Sequence, residues 1–293
     1  MKYFSLIFFA ILISSCSSTK QIVNNNENVK EETTTIKAQE GTPEVEVEVE
    51  VEELIKNEIP ESPQPAKLEV ANSIEHNVKE TFNHETWNTL LHKNVTETGN
   101  VNYVSFKKNS TELRIYIDSL ADNMPNEAWT KEDKLAYWIN AYNAMTVDLI
   151  IRNYPVKSIK DIKDPWEQRL WKLGNKWYNL DEIEHQILRK MEEPRIHFAI
   201  VCASYSCPKL QNEAFTASKL EAQLTAATKG FLADNNRNEI SSNTIKISKI
   251  FQWFSKDFKQ NGNLIDFLNT YTEINISSNA KKSYKDYNWD LNE

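Results

Sequence analysis

Apolar residues recur at helical spacing in the middle of the chain, and this pattern predicts a long central helix. Thr130 and Asp133 form a candidate helix cap, and the apolar repeat continues from there to Pro155. The repeat consists of Leu135, Trp138, Ile139, Tyr142, Met145, Leu149 and Ile150. Asn140 and Asn143 fall on one stripe of this helix, so we expect two amides that face inward or along a cleft wall.

Two alternating segments further along the chain predict hairpins. Residues 171–178 alternate around a Gly-Asn pair, and residues 240–250 form a second candidate hairpin. Between them, Asn179 and Glu182 predict a helix cap, followed by a helix that carries His185.

The segment Ile196–Cys202 is almost wholly apolar, and this composition predicts a buried strand. A loop rich in small polar residues follows it, over residues 203–208. Together these patterns predict an α+β fold rather than a regular βαβ alternation. We expect a single domain with a central buried helix, several amphipathic helices and a small, mostly antiparallel sheet.

The N-terminal pattern is that of an export signal. One lysine precedes the apolar run 4–13, which is too short to span a bilayer comfortably, so residues 1–15 are predicted to be a signal peptide. The stretch Ile13-Ser14-Ser15-Cys16 resembles the lipobox cut by the lipoprotein signal peptidase. That resemblance implies lipid on Cys16, which would anchor the chain to a membrane of the cell envelope. We expect the domain on the periplasmic side, anchored to the outer membrane. An ordinary secretory peptide with an incidental cysteine is the alternative.

Charge separates the remainder into a tether and a domain. Residues 17–70 hold 13 Glu and 5 Lys, so their net charge equals the formal charge of −8 of the whole chain. We therefore interpret residues 16–75 as a lipidated N-terminus and disordered acidic tether, and residues 76–293, with all 8 Trp, as the globular domain. Because acids and bases balance outside 17–70, the domain lacks the basic excess typical of nucleic-acid binding.

Three separated blocks of the domain resemble the family known as domain of unknown function 547. They are Leu135-Ala136-Tyr137-Trp138-Ile139-Asn140-Ala141-Tyr142-Asn143-Ala144, Ile183-Glu184-His185, and the run from Arg195 to Pro208. The end of the chain, with Tyr287-Asn288-Trp289-Asp290, is also similar to the family. The resemblance implies the domain type, but this family has no assigned activity and so supplies no catalytic residue.

The position of Cys202 suggests a nucleophile. A cysteine that ends a buried strand before a loop of small residues is rigidly held, and the loop can offer backbone N–H donors. His185 and His197 are the candidate bases, and strand parity favours His185 because residues 197 and 202 would point to opposite faces. Glu184, Asn140 or Asn143 could orient the imidazole, which would suit a thiol hydrolase or acyltransferase acting on amides or esters.

Other interpretations of these residues remain open. Cys202 and the histidines could be inert core residues, the asparagines could tie down loop backbones, and Cys202 could form a disulfide with Cys207. Without catalysis, the domain would be an envelope module that binds a protein partner or glycan in an aromatic-lined groove. The candidate lining residues are Trp138, Trp166, Trp171, Trp177 and Trp253. Neither a zinc-ligand spacing nor a phosphate-binding loop is present, so the sequence predicts no metal and no cofactor.

Overall fold

The computed structural model describes residues 81–260 and 262–293. The predicted signal peptide, Cys16 and the whole of the predicted acidic tether lie outside these residues. No helix in the described ranges is long and apolar enough to cross a membrane.

The described part of the chain folds into helices and two small sheets. Its α-helices are α1 (Glu85–Asn94), α2 (Tyr103–Lys108), α3 (Ser110–Asp122), α4 (Lys131–Asn153), α5 (Leu180–Glu182), α6 (Leu220–Ala233), α7 (Ile250–Trp253) and α8 (Leu264–Tyr271). Its strands are β1 (Trp171–Leu173), β2 (Lys176–Tyr178), β3 (Glu239–Ile240), β4 (Thr244–Ile247) and β5 (Lys281–Tyr284). A π-helical turn (Ile183–Ile187) continues α5, and a 3₁₀ helix (Pro194–Phe198) precedes the cysteine loop.

Helix α4 is the centre of the main core, as its apolar pattern predicts. The Thr130 hydroxyl accepts the Asp133 N–H, and the Asp133 side chain accepts the Thr130 N–H, which completes a capping box. Every residue from Leu135 to Ile151 is buried, because α2 and α3 pack against this helix on one side and the segment around the cysteine loop covers another.

The sheets are small, and most of their pairings are antiparallel. Strands β1 and β2 form the predicted hairpin, in which Gly174 adopts φ +55° at the turn. Strand β4 pairs antiparallel with β3, which confirms the second hairpin, and parallel with β5. The α+β fold class expected from the sequence is confirmed.

The predicted strand over residues 196–202 is wrong. Pro194–Phe198 forms a 3₁₀ helix, and the N–H groups of Ala199 and Ile200 both donate to the Ile196 carbonyl at 2.9 Å. The segment is buried, as its apolar composition indicates, but local bonds and the Asn143 side chain satisfy its backbone instead of a neighbouring strand. Alternation along a strand therefore cannot be used to choose His185 over His197 as the base.

Candidate active site around Cys202

A cavity of about 290 Å³ opens beside Cys202. Its wall takes residues from the main core around α4 and from a second apolar cluster built on Phe198, Phe231 and Phe251. The lining consists of Tyr142, Trp166, Glu167, Asp181, Glu184, His185, His197, Ile200, Val201, Cys202, Cys207, Pro208, Ile250, Trp253, Phe254, Tyr287 and Trp289.

Asn143 of α4 fixes the backbone that leads to Cys202. Its amide donates to the Ala199 carbonyl at 2.9 Å, and its side-chain oxygen accepts the Val201 N–H at 3.0 Å. A single buried side chain thus satisfies two backbone groups of a segment that has no sheet partner. Cys202 follows directly and is held against the cavity wall.

The C-terminal segment holds the loop on the far side of Cys202. Ala203 has φ +56°, a left-handed conformation that strains a residue with a Cβ and therefore needs support from its surroundings. The Ala203 carbonyl accepts the backbone N–H of Asn292 at 3.3 Å, and the Tyr205 N–H donates to the backbone carbonyl of Asp290 at 2.7 Å. The same segment brings Tyr287 to the cysteine.

Three side chains surround the sulfur of Cys202 within hydrogen-bonding distance. Its Sγ lies 3.0 Å from Cys207 Sγ, 3.0 Å from Ser204 Oγ and 3.2 Å from the Tyr287 hydroxyl oxygen. Donation by the Cys207 thiol, followed by Ser204 and Tyr287, outweighs burial and lowers the pKa of Cys202 to about 7. Cys202 is partly exposed, so this thiolate can be reached from the cavity.

Cys207 has the opposite character. It is buried, and burial together with the neighbouring Cys202 raises the pKa of its thiol well above the usual value. Both cysteines are free thiols here. The two pKa shifts therefore favour the thiolate at Cys202 and the protonated thiol at Cys207.

The two histidines contact the two members of one ion pair, Arg189 and Asp257. His185 Nδ1 lies 2.9 Å from Arg189 Nη1, and because a guanidinium only donates, this nitrogen accepts and the neutral ring carries its proton on Nε2. His197 Nε2 lies 2.8 Å from Asp257 Oδ2, and Arg189 binds the same carboxylate through two nitrogens. Although burial opposes ionisation, these hydrogen bonds hold the pKa of Asp257 well below its usual range.

Glu184 places a carboxyl group in the cavity wall. The residue is 8% exposed, and its Oε2 accepts the Tyr142 hydroxyl at 3.0 Å. Burial raises the pKa of Glu184, which favours the protonated form beside the Cys202 thiolate. A protonated carboxyl in this position can supply a proton to a bound molecule.

Comparison with protein families agrees with the resemblance seen in the sequence. Residues 126–232 match the family model described as "Protein of unknown function, DUF547". This match supports assignment of that segment to the DUF547 domain family. It includes α4, both cavity histidines and both cysteines, whereas Asp257 and Tyr287 lie beyond the matched segment. No curated protein and no solved structure matches the chain.

The DUF547 segment and the residues after it bring most of the predicted site residues to one cavity. Cys202, Cys207, His185, His197 and Glu184 all line it. Among the residues that the structure describes, however, neither histidine is a hydrogen-bond partner of Cys202. The sulfur is instead held by thiol and hydroxyl donors.

The two predicted amides lie behind the cavity rather than in its wall. Asn140 pairs with the backbone of Phe215, whose carbonyl lies 2.7 Å and whose N–H lies 3.0 Å from the amide. Asn143 has the equivalent role at Val201, and neither side chain contacts a histidine ring. Of the candidate tryptophans, Trp166 and Trp253 line the cavity, Trp138 and Trp171 are buried, and Trp177 is exposed.

Four contributors to the site were absent from the sequence hypothesis as site residues: Ser204, Arg189, Asp257 and Tyr287. Ser204 was visible only as part of a loop of small polar residues. Tyr287 lies in the terminal block that is similar to the DUF547 family and Asp257 lies between that block and the matched segment, but the pairing of both with residues 185–204 depends on tertiary structure. Within the described ranges, no group of three His, Cys, Asp or Glu side chains is placed to hold a metal ion.

Proposed function

We propose that Cys202 is the nucleophile of a thiol-dependent hydrolase or acyltransferase that acts on an ester or amide bound in the cavity. The observation that carries this proposal is the position of Cys202 Sγ, which lines the cavity within hydrogen-bonding distance of the Cys207 thiol and the hydroxyl groups of Ser204 and Tyr287. Such donors favour the thiolate, which is the reactive form of cysteine.

The proposed step forms a thioester. Cys202 Sγ attacks the carbonyl carbon of the substrate, the bond to the leaving oxygen or nitrogen breaks, and the leaving group takes up a proton. Glu184 is the proposed proton donor because its carboxyl is buried in the same wall and its pKa is raised. Water, or an acceptor alcohol or amine, then attacks the thioester and releases Cys202.

A second candidate function is thiol–disulfide exchange, which the separation of 3.0 Å between the sulfurs of Cys202 and Cys207 favours. In this reaction Cys202 attacks a substrate disulfide and releases a thiolate, and Cys207 then displaces the second half of the substrate. The substrate is reduced and the pair is oxidised, so an external thiol must restore the dithiol. This reaction needs both cysteines, whereas acyl transfer needs only Cys202.

We also propose that the domain works in the bacterial cell envelope, tethered by lipid on Cys16. The support is the short apolar run before Ile13-Ser14-Ser15-Cys16, together with the acidic spacer that follows. Its substrate or protein partner would then be a component of the envelope.

The experiment is to trap the thioester. The full chain is incubated with p-nitrophenyl acetate, quenched in acid and digested, and acetylation is located by mass spectrometry. We expect hydroxylamine-labile acetylation on Cys202 of the folded protein, and much less on Cys207 or on urea-unfolded protein. Equal acetylation in folded and unfolded protein, or none on Cys202, would overturn the proposal.

A further inference from the structure

The cavity beside Cys202 combines aromatic faces with carboxylates. Its acidic side chains are Glu167, Asp181 and Glu184, and no Lys or Arg is among its lining residues in the described part of the chain. Its aromatic wall consists of Trp166, Trp253, Phe254, Tyr287 and Trp289. A Cys202 thiolate adds a further negative charge to this surface.

Two of these acidic side chains, Glu167 and Asp181, make no salt bridge with a Lys or Arg among the described residues. Within the described ranges, Glu167 makes no ion pair, and the nearest basic nitrogen to Asp181 is His185 Nε2 at 3.5 Å. Glu184 is more than nine-tenths buried. Among the described residues, the Tyr142 hydroxyl is the hydrogen-bond partner of its carboxyl group, and it binds Oε2. One oxygen of this carboxyl group is thus left for a bound molecule.

The aromatic wall is a cluster of stacked rings whose faces can attract cations. The rings of Trp253 and Trp289 stack with centroids 5.8 Å apart, and Tyr287 lies 4.6 Å from Trp289. Trp289 already holds the ammonium of Lys160 at 4.2 Å from its ring centroid. Neither Lys160 nor Arg189 lines the cavity. The guanidinium of Arg189 is paired with Asp257, and its charge also acts on Glu184.

We infer that the substrate of Cys202 carries an ammonium group, primary or quaternary, close to its reactive carbon. This inference rests on the proposed function, since it names the substrate class of the same site. Aromatic faces combined with carboxylates stabilise an ammonium group, whereas an anionic substrate would be repelled by Glu167, Asp181 and the thiolate. The cavity of about 290 Å³ suits a small acyl donor.

The test uses three alkylating probes that differ in charge. They are the N-(2-trimethylammonioethyl) and N-(2-sulfonatoethyl) derivatives of iodoacetamide, which are matched in length and opposite in charge, and iodoacetamide itself as the smaller neutral reference. Each forms a carbon–sulfur bond with Cys202 and releases iodide, so Cys207 cannot reverse the reaction. Rates are measured on the full chain by peptide-resolved mass spectrometry and divided by the rate of each probe with N-acetylcysteine.

We expect the corrected rate of the cationic probe to exceed that of the anionic probe by at least about tenfold. The double variant Glu167→Gln with Asp181→Asn should reduce this ratio several-fold. The matched control is Glu112→Gln with Asp118→Asn, which removes the same charges from the exposed face of α3 and should leave the ratio unchanged.

The outcomes separate the two proposals. If no probe modifies Cys202 faster in the folded than in the unfolded chain, the proposed nucleophile itself fails. If Cys202 reacts readily but the corrected rates of the cationic and anionic probes are equal, the substrate class is wrong and the nucleophile stands. A ratio that falls equally in the control variant would show general charge attraction rather than recognition in the cavity.

Discussion

Replacing Cys202 by serine is expected to reduce the release of p-nitrophenolate from p-nitrophenyl acetate by at least about 100-fold, to near the rate of unfolded protein. A serine hydroxyl is not ionised near neutral pH, and no histidine among the described residues is bonded to Cys202 to activate a hydroxyl in its place. The measurement is the steady-state rate at pH 7.5, normalised to folded protein by circular dichroism.

Cys207→Ser is the matched variant that separates the two candidate functions. A serine at this position can still donate to the Cys202 thiolate, so acyl transfer should keep most of its rate. Reduction of a small disulfide substrate should be lost in this variant, because no second thiol remains to resolve the mixed disulfide. Loss of ester turnover in Cys207→Ser to the level of Cys202→Ser would contradict the acyl-transfer proposal and support the exchange reaction.

Asn143→Ala is expected to lower the free energy of unfolding by about 3 kcal/mol, because two buried backbone groups lose their partners at a cost of about 1–3 kcal/mol each. These groups are the Ala199 carbonyl and the Val201 N–H. Since Val201 precedes Cys202, the alkylation rate of Cys202 should also fall several-fold. Urea unfolding gives the stability, and iodoacetamide labelling below the transition gives the reactivity.

Asn140→Ala provides the control for this prediction. Its amide makes the same two kinds of backbone hydrogen bond, but to Phe215, and it is equally buried. We expect a similar loss of stability with unchanged reactivity of Cys202. Equal effects of the two variants on labelling would mean that Asn143 stabilises the domain without positioning the cysteine.

Short sequence patterns were sufficient to predict the elements that are defined by hydrogen bonds between residues close in the sequence. The Thr130 and Asp133 cap depends on residues three apart, and the hairpin at Gly174 depends on one turn, so both follow from short patterns. The segment 196–202 shows the limit of this approach. Its apolar composition correctly indicates burial, but its backbone is satisfied by Asn143, which lies more than fifty residues away, and not by a strand.

The candidate site was predictable in its residue types but not in its contacts. Cys202, Cys207, His185, His197 and Glu184 were all named from the sequence and line one cavity, although His197 was expected to point away from Cys202. The partners of the sulfur were not predictable, because Tyr287 lies 85 residues further along the chain and reaches Cys202 through backbone pairing of the C-terminal segment. A histidine was expected to be oriented by Asn140 or Asn143, but His185 contacts Arg189 and His197 contacts Asp257 instead.

The most direct measurement of the central claim is the pH dependence of iodoacetamide labelling at Cys202 in the full chain. Because hydrogen bonds lower the pKa of this thiol to about 7, the thiolate fraction should be small at pH 5, half-maximal near pH 7 and complete by pH 9. The predicted rate therefore rises with pH and levels off, with a midpoint near 7. A midpoint at or above that of an ordinary cysteine, about 8.5, or no labelling of the folded protein at any pH, would contradict the account.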